Sequence, residues 1–527
     1  MKVTSRLASV TGSPYFATLA LPVVFLLAGV YTVLTSPPSW FTYADPAYQY
    51  LLNGPSIIFG SGTGHADHPG TSMQVLTGIF SIIFHLVSRD ETPLVAHLVS
   101  NPEGFASFSI VIFVLIQALV LWFTGSRLAR HLGTGAAVLF QSAILATTAL
   151  TFFRAKLIPE SLVILCAILL IGLLSPNLVE RDQQVALRRS LAIGLVSGIG
   201  VMAKVIFIPL LLLPFILLKF RALLPVALAF IATVGVFLFI ARDQISYMID
   251  WFTAVSSTNA RYPDETQPEN WYSNLQNLPS ALTDLYPVWV FSLLVMVIAI
   301  IFLRPRIPLR LILAFIIPSV FTFFMMYKSF RVNDLLVLAP LSGLALAGTW
   351  YYLIPRLGGK LSWIRLGIPF ISSILSIYLI ANSSITTAAA GDGHDDAGIR
   401  TEKLSTAAAS GTRVAVGYGV FTKEAALYYA NLTSRNFALS EMVRQYPNWI
   451  DFNIWNSMFY GFNSESRYLM PCEELATIVD SPAGLLWVPG RELTPQMPNE
   501  QYLLVQYSPV GEAGQFTIYR INKVICR

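Results

Sequence analysis

The sequence predicts a polytopic α-helical membrane protein of about eleven transmembrane helices, followed by a C-terminal α/β extracytoplasmic domain. Three observations predict it. Of 527 residues, 55% are hydrophobic and 12% are charged, against about 25% charged in a soluble domain. The apolar residues gather into runs near the roughly 20 residues that cross about 30 Å of hydrocarbon. The last quarter of the chain breaks this pattern and reads as short segments between turns.

Apolar runs place spans near 15–36, 104–124, 134–152, 157–175, 190–205, 206–219, 222–241, 287–303, 311–327, 334–354 and 364–382. The run Met73–Ser88 is apolar but short, and it reads as an interfacial helix on the outer face. Charge supports that choice. With a cytoplasmic N-terminus, Lys2 and Arg6, Arg127 and Arg130, Arg181, Arg188 and Arg189 fall on one side. So do Lys219 and Arg221, Arg304, Arg306 and Arg310, and Arg356, Lys360 and Arg365. This is the positive-inside distribution, and a full span at 73–88 would scatter it. Ser13–Thr35 is long enough to span and lacks a convincing cleavage site, so no signal peptide is expected.

This topology divides the chain into a transmembrane domain, 1–383, with a first outer loop at 37–103, and an extracytoplasmic domain, 384–527. The latter opens on a low-complexity linker, ITTAAAGDGHDDAGIR. A strand, glycine turn and helix follow in RVAVGYGV and KEAALYYANL. Later runs, LLWVPG, YLLVQYS and FTIYRIN, read as strands. Of three cysteines, Cys166 lies inside a span, whereas Cys472 and Cys526 lie in this polar region, where a disulfide between them fits an oxidising compartment. The net charge of +5 gives no reason to expect nucleic acid, because the basic residues sit in short loops between spans.

The chemistry is expected on the outer side. Between Pro37 and Ser88 the chain has no Lys or Arg, yet it carries Asp45, His65, Asp67 and His68 among glycines, prolines and aromatics such as Tyr48. A carboxylate directly after the first span could accept the proton of an attacking hydroxyl or amine. Asp45, followed by Pro46, also suits a helix N-cap, and the two roles are compatible. Asp67 is a second acid/base candidate. The group His65, Asp67, His68 is too compact for a metal centre and has no fourth ligand nearby, so loop structure or substrate contact is the expectation. Arg154, Lys156 and Glu160 sit in FFRAKLIPES, Lys204 in GIGVMAKVIF, and Lys328, Arg331 and Asp334 in MMYKSFRVND. Basic side chains at this depth are costly unless paired or solvated. A convergent set would hold a phosphate or pyrophosphate; the bland alternative is snorkelling or local pairs, Arg154 with Glu160 and Arg331 with Asp334. The loop 242–286 and the N-x-[ST] matches at Asn382 and Asn431 carry weak signals.

On ADPAYQYLLNG, DHPGTSMQVL, KLIPESLVIL, GLVSGIGVMAKVIFIPLLLLP and KSFRVNDLLVLAPL, the chain resembles the GT-C superfamily of membrane glycosyltransferases. Within it, the likeness is to bacterial relatives of the protein O-mannosyltransferases and of the lipid A aminoarabinose transferase. The resemblance implies transfer of a sugar from a polyprenyl-phosphate-linked donor to a glycolipid, glycan or protein acceptor. It assigns the catalytic acid of the first outer loop to Asp45, donor-phosphate contacts to Lys204, Lys328 and Arg331, and the place of a second acid to Glu160. Asp45 is followed by Pro46, where many relatives carry an acid, and Glu160 is displaced from the aspartate of some relatives. These departures leave a divalent metal as an open alternative, and no other cofactor is expected. The resemblance also implies a bacterial inner membrane, with the C-terminal domain periplasmic. Rival readings are a transporter of lipid-linked sugars, which would need no Asp45, an envelope polysaccharide polymerase or ligase, and a membrane-anchored scaffold.

Overall fold

A computed structural model of the protein describes residues 17–35, 49–64, 70–147, 156–179, 185–256, 286–303, 307–325, 332–356 and 367–384. Shorter stretches are described at 278–279, 282, 365, 413–417, 427, 430–431, 433–446, 449–453, 458–461, 485–489, 502–513 and 516–526. Among them, six helices are long and apolar enough to cross a membrane: Thr71–Ser88, Pro102–Leu132, Pro159–Val179, Phe220–Ile240, Leu335–Leu353 and Gly367–Ser384. Shorter apolar helices occur at Ala20–Thr35, Thr134–Leu145, Val205–Leu217, Pro287–Ile301 and Leu309–Met325. The chain is a multi-pass membrane protein. The 71–88 helix is among the six, so its length alone does not distinguish a span from the interfacial helix expected there.

One expected span takes a different form. Residues 206–219 were expected as a transmembrane helix, but the chain forms a 3-10 helix, Val205–Leu211, and then a six-residue α-helix, Leu212–Leu217. Prolines explain this. Pro209 lacks the N–H that would bond the Val205 carbonyl in an α-helix, and Pro214 likewise leaves Leu210 without its partner.

The described residues form two compact units. The first comprises Met1–Tyr31, Ala66–Met73 and Val111–Ile385. Here the Leu187–Ala203 helix packs on Phe220–Ile240 and on Pro159–Val179, while Leu338–Leu353 packs on Thr134–Leu145 and on Pro287–Leu303. Gly194 and Gly198 allow the closest of these approaches. A Cβ on Gly194 would lie 2.2 Å from the Val226 carbonyl oxygen, and one on Gly198 would lie 2.7 Å from the Thr233 side chain. Where lipid is as apolar as leucine, such close packing replaces the hydrophobic drive for helix association. Buried hydrogen bonds add to it. Gln141 Nε2 donates to the carbonyls of Thr18 and Leu121 at 3.0 and 3.1 Å, and the Thr18 and Ser126 hydroxyls are 3.1 Å apart.

The second unit comprises Thr32–His65, Gln74–Ile110 and Thr386–Arg527, so the first outer loop, apart from Ala66–Met73, groups with the C-terminal region. The latter carries a six-stranded sheet of order β3-β2-β1-β4-β6-β5. Its strands are β1 Arg413–Gly417, β2 Trp449–Asn453, β3 Met458–Gly461, β4 Leu485–Pro489, β5 Tyr502–Ala513 and β6 Phe516–Cys526. β1 runs parallel to β2 and β4, and the outer pairings are antiparallel. The connection from β1 to β2 contains the Leu439–Gln445 helix, as parallel neighbours require a crossover. Pro509 is tolerated in β5 because that strand is an edge.

The two sequence-distant parts of this unit meet at a clasp. Ser56, on the Gln49–Ile58 helix, donates from Oγ to the carbonyls of Gly62 and Ser434 at 3.0 and 3.3 Å. Gly64 lies flush against Thr433, whose carbonyl oxygen would be 1.4 Å from a Cβ at that position. The rings of Phe59 and Phe437 are 5.4 Å apart, and the Tyr446 hydroxyl donates to the Val99 carbonyl at 3.0 Å. Arg435 and Asn436 take left-handed conformations, φ 58° and 63°, that bend the chain back at the contact.

Candidate functional site at two broken helix ends

Leu187–Ala203 ends at Lys204, whose backbone is extended at φ −161° and ψ 143°. The proline-limited 3-10 segment that follows cannot supply α-helical partners for the last carbonyls, so other groups must. The Gly70 N–H donates to the Ala203 carbonyl at 3.1 Å, and Ser72 Oγ donates to the Ile199 carbonyl at 3.1 Å. Thus the DHPGTSMQVL stretch of the first loop is tied to the helix break that carries Lys204.

Across from it, Pro159–Val179 begins with proline at its first position and Glu160 in its first turn, a pairing that suits a helix N-terminus and its partial positive charge. Lys204 Nζ donates to Glu160 Oε1 at 2.6 Å, and both residues are buried, at 8% and 9% exposure. Each charge complements its own helix end as well as its partner. Lys156 stands one turn before Glu160 and is partly buried. Burial lowers its ammonium to about 8, with the Glu160 carboxylate acting in the opposite sense. The 3-10 helix Val332–Val337 packs on the 159–179 helix and on the 205–211 segment, with Leu335, Leu336 and Val337 wholly buried. That element directly follows Lys328 and Arg331 in sequence.

The described part of the site is therefore two ammonium groups and one carboxylate, at least one pair of them in direct contact. Its net positive character suits a phosphate. Four of the five stretches that carry the sequence resemblance, 67–76, 156–165, 194–214 and 328–341, contribute described elements to this one place. Asp45, Tyr48, His65, Asp67, His68, Arg154, Lys328 and Arg331 lie outside the described residues, as does Cys472, whereas Asp334 falls in the Val332–Val337 3-10 helix. The expected local pair of Arg154 with Glu160 thus has no described counterpart, and the partner Glu160 shows is Lys204. Sequence reading missed the contribution of Gly70 and Ser72, which a helix ending before a proline-rich stretch signals only as a need for acceptor partners. Cys526 is disulfide-bonded and Cys166 is free and buried.

Among the described residues no three His, Cys, Asp or Glu side chains group as a metal site, and the Glu160 carboxylate is already bonded to an ammonium.

No protein-family model matches the sequence, and no curated protein matches it. Solved structures do. The crystal structure of ArnT from Cupriavidus metallidurans bound to undecaprenyl phosphate aligns over 95% of this chain and 97% of that one, at TM-score 0.51 and 11% identity. Its apo form aligns over the same shares with the same score and identity. The Archaeoglobus fulgidus oligosaccharyltransferase tethered to an acceptor peptide aligns over 90% of this chain and 69% of that one, at TM-score 0.47 and 10% identity. At 11% identity the ArnT likeness speaks of fold alone: the chain shares the overall fold of that structure.

Proposed function

We propose that this protein is a glycosyltransferase that moves a sugar from a polyprenyl-phosphate-linked donor to an acceptor at the outer face of a bacterial inner membrane. The observation that carries the reading is the convergence of Lys156, Glu160 and Lys204 at two broken helix ends, within a fold shared with ArnT. That the ArnT structure is described as bound to undecaprenyl phosphate supports a lipid-phosphate ligand here.

In this reading the acceptor hydroxyl or amine attacks the anomeric carbon, the bond to the phosphate oxygen breaks, and the polyprenyl phosphate leaves. Asp45 accepts the acceptor proton, with Asp67 as the alternative base. Lys156 and Lys204, joined by Arg154, Lys328 and Arg331, meet the charge that grows on the departing phosphate, which is where preorganised donors act most strongly. Glu160 serves as a positioning residue, because its carboxylate is committed to Lys204. Tyr48, His65 and His68 contact the sugar or acceptor from the first loop. The acceptor is a glycolipid, glycan or protein. The N-terminus is cytoplasmic and the C-terminal region periplasmic, supported by the one-sided Lys/Arg distribution and by the disulfide at Cys526; its partner in this reading is Cys472.

The test is reconstitution in proteoliposomes with a pool of polyprenyl-phosphate sugars and candidate acceptors. Release of free polyprenyl phosphate with a glycosylated product is expected. Movement of intact lipid-linked sugar between leaflets without product would replace this reading with a transporter.

A further inference from the structure

The 159–179 helix carries a second charged cluster at its other end. Pro176 removes the N–H that would bond the Gly172 carbonyl, and Arg127 Nε donates to that carbonyl at 3.0 Å. Arg189 donates from Nη2 to Asn177 Oδ1 at 2.9 Å. Arg310 donates from Nη2 to the carbonyls of Leu178, at 3.4 Å, and Val179, the last two of the helix. Three guanidinium groups from three other helices therefore gather on one helix end. No carboxylate pairs with any of them among the described residues.

Helix capping uses only part of what these groups offer. Each guanidinium has five N–H donors; the bonds above engage one nitrogen of each, and Arg310 also bonds the Tyr352 hydroxyl. Among the described residues, Arg189 Nε and Arg310 Nε are buried without a hydrogen-bond partner, and so is Nδ2 of Asn177, a residue with 0% exposure. Unmet buried donors of this kind call for an acceptor. The remaining donors suit a phosphate, which guanidinium forks engage in paired, charge-assisted bonds. Position selects the source. Val179 is 19 residues from Glu160 along the helix, which at 1.5 Å per residue is roughly 28 Å, about one hydrocarbon thickness. The cluster thus lies at the membrane face opposite to the Glu160–Lys204 pair. There, basic pockets between helices meet lipid headgroups.

We propose that Arg127, Arg189, Arg310 and Asn177 form a binding site for the phosphodiester headgroup of an anionic phospholipid in the leaflet opposite the candidate active site. The site stands apart from the glycosyl-transfer reading and does not depend on it. Its occupant closes the 159–179, 187–203 and 309–325 helices around one anion, and so secures the far end of the helix that bears Glu160.

The test uses the full-length protein, delipidated and returned to nanodiscs of phosphatidylcholine with or without phosphatidylglycerol. Thermal unfolding is followed alongside native mass spectrometry of retained lipid. The expected result is a higher Tm and a retained phosphatidylglycerol molecule in the wild type. Arg189→Gln, and separately Arg310→Gln, should lower retention about tenfold, as loss of one charge-assisted contact implies. Arg189→Lys should keep part of it. Should either Gln variant fail to fold, wild-type retention of phosphatidylglycerol over phosphatidylcholine decides the matter alone. Equal retention of the two lipids overturns the proposal and leaves the arginines as helix caps, as it would if Glu180 and Asp182, next in sequence, neutralise them. A Tm increment from inorganic phosphate equal to that from phosphatidylglycerol overturns the lipid source.

Discussion

Lys204 and Glu160 are each unfavourable in an apolar setting, and their contact at 2.6 Å is what makes them tolerable together. Removing one partner strands the other charge. Glu160→Gln or Lys204→Met alone should cost about 3–5 kcal/mol, and the double variant less than the sum, because no uncompensated charge remains. Unfolding of the four proteins in one detergent measures the coupling. Lys156 gives a pH prediction. Its ammonium lies at about 8, lowered from 10.5 chiefly by burial. Below pH 8 folded and unfolded states both hold the proton, and the burial cost is present in full. Between about 8 and 10.5 only the unfolded state holds it, so stability from this group rises with pH across that window. Donor binding moves the opposite way, since the charge that attracts phosphate is lost. The donor KM should climb from pH 7 to pH 9, and Lys156→Arg, which stays charged, should flatten the rise. Both residues were legible as candidates in the sequence, because basic groups on the side that the positive-inside pattern leaves poor in Lys and Arg need a reason. Their pairing was not: Glu160 has a nearer basic neighbour in sequence, Arg154, and a contact across 44 residues depends on where the helices end.

Helix ends do much of the placing. The run MAKVIFIPLLLLP is apolar enough to pass for a span, and hydropathy alone does not show that Pro209 and Pro214 confine it to a 3-10 turn and one short helix. That break turns Lys204 out of the helix; the Gly70 N–H takes up the Ala203 carbonyl it leaves, and Ser72 adds a bond to the Ile199 carbonyl one turn earlier. Pro209→Ala should let the 187–203 helix run on past Lys204. The account expects donor binding to weaken with little change in Tm, measured by donor KM and thermal unfolding. In the other unit four strands fell on runs that read as strands, RVAVG, LLWVP, YLLVQYS and FTIYRIN, whereas Trp449–Asn453 and Met458–Gly461 were not read from the sequence. The clasp between the first loop and the 430–446 segment had no sequence signal, since Gly64 resembles any loop glycine until Thr433 is found against it. Gly64→Val should destabilise by about 1–3 kcal/mol through overpacking. Faster amide exchange at 439–446 would report it, and unchanged exchange there would contradict the contact.

For the molecule as a whole, composition and charge asymmetry were sufficient to read a multi-pass membrane protein, because both follow from the bilayer's demands on any chain. The resemblance to the GT-C superfamily needed the loose motifs to be taken together, and a fold likeness to ArnT at 11% identity shows why no single one suffices. What binds them is geometric: the stretches at 67–76, 156–165, 194–214 and 328–341 are far apart in sequence, yet each supplies an element at the same pair of helix ends. The central claim is that this place holds the donor phosphate while Asp45 takes the acceptor's proton. The most direct measurement is single-turnover sugar transfer by the wild type and Asp45→Asn in proteoliposomes, with donor affinity determined for both. The account predicts transfer slowed by about a hundredfold or more in Asp45→Asn, the low end for loss of a general base, with donor affinity unchanged. Transfer by Asp45→Asn at the wild-type rate would contradict it and shift the search for the base to Asp67.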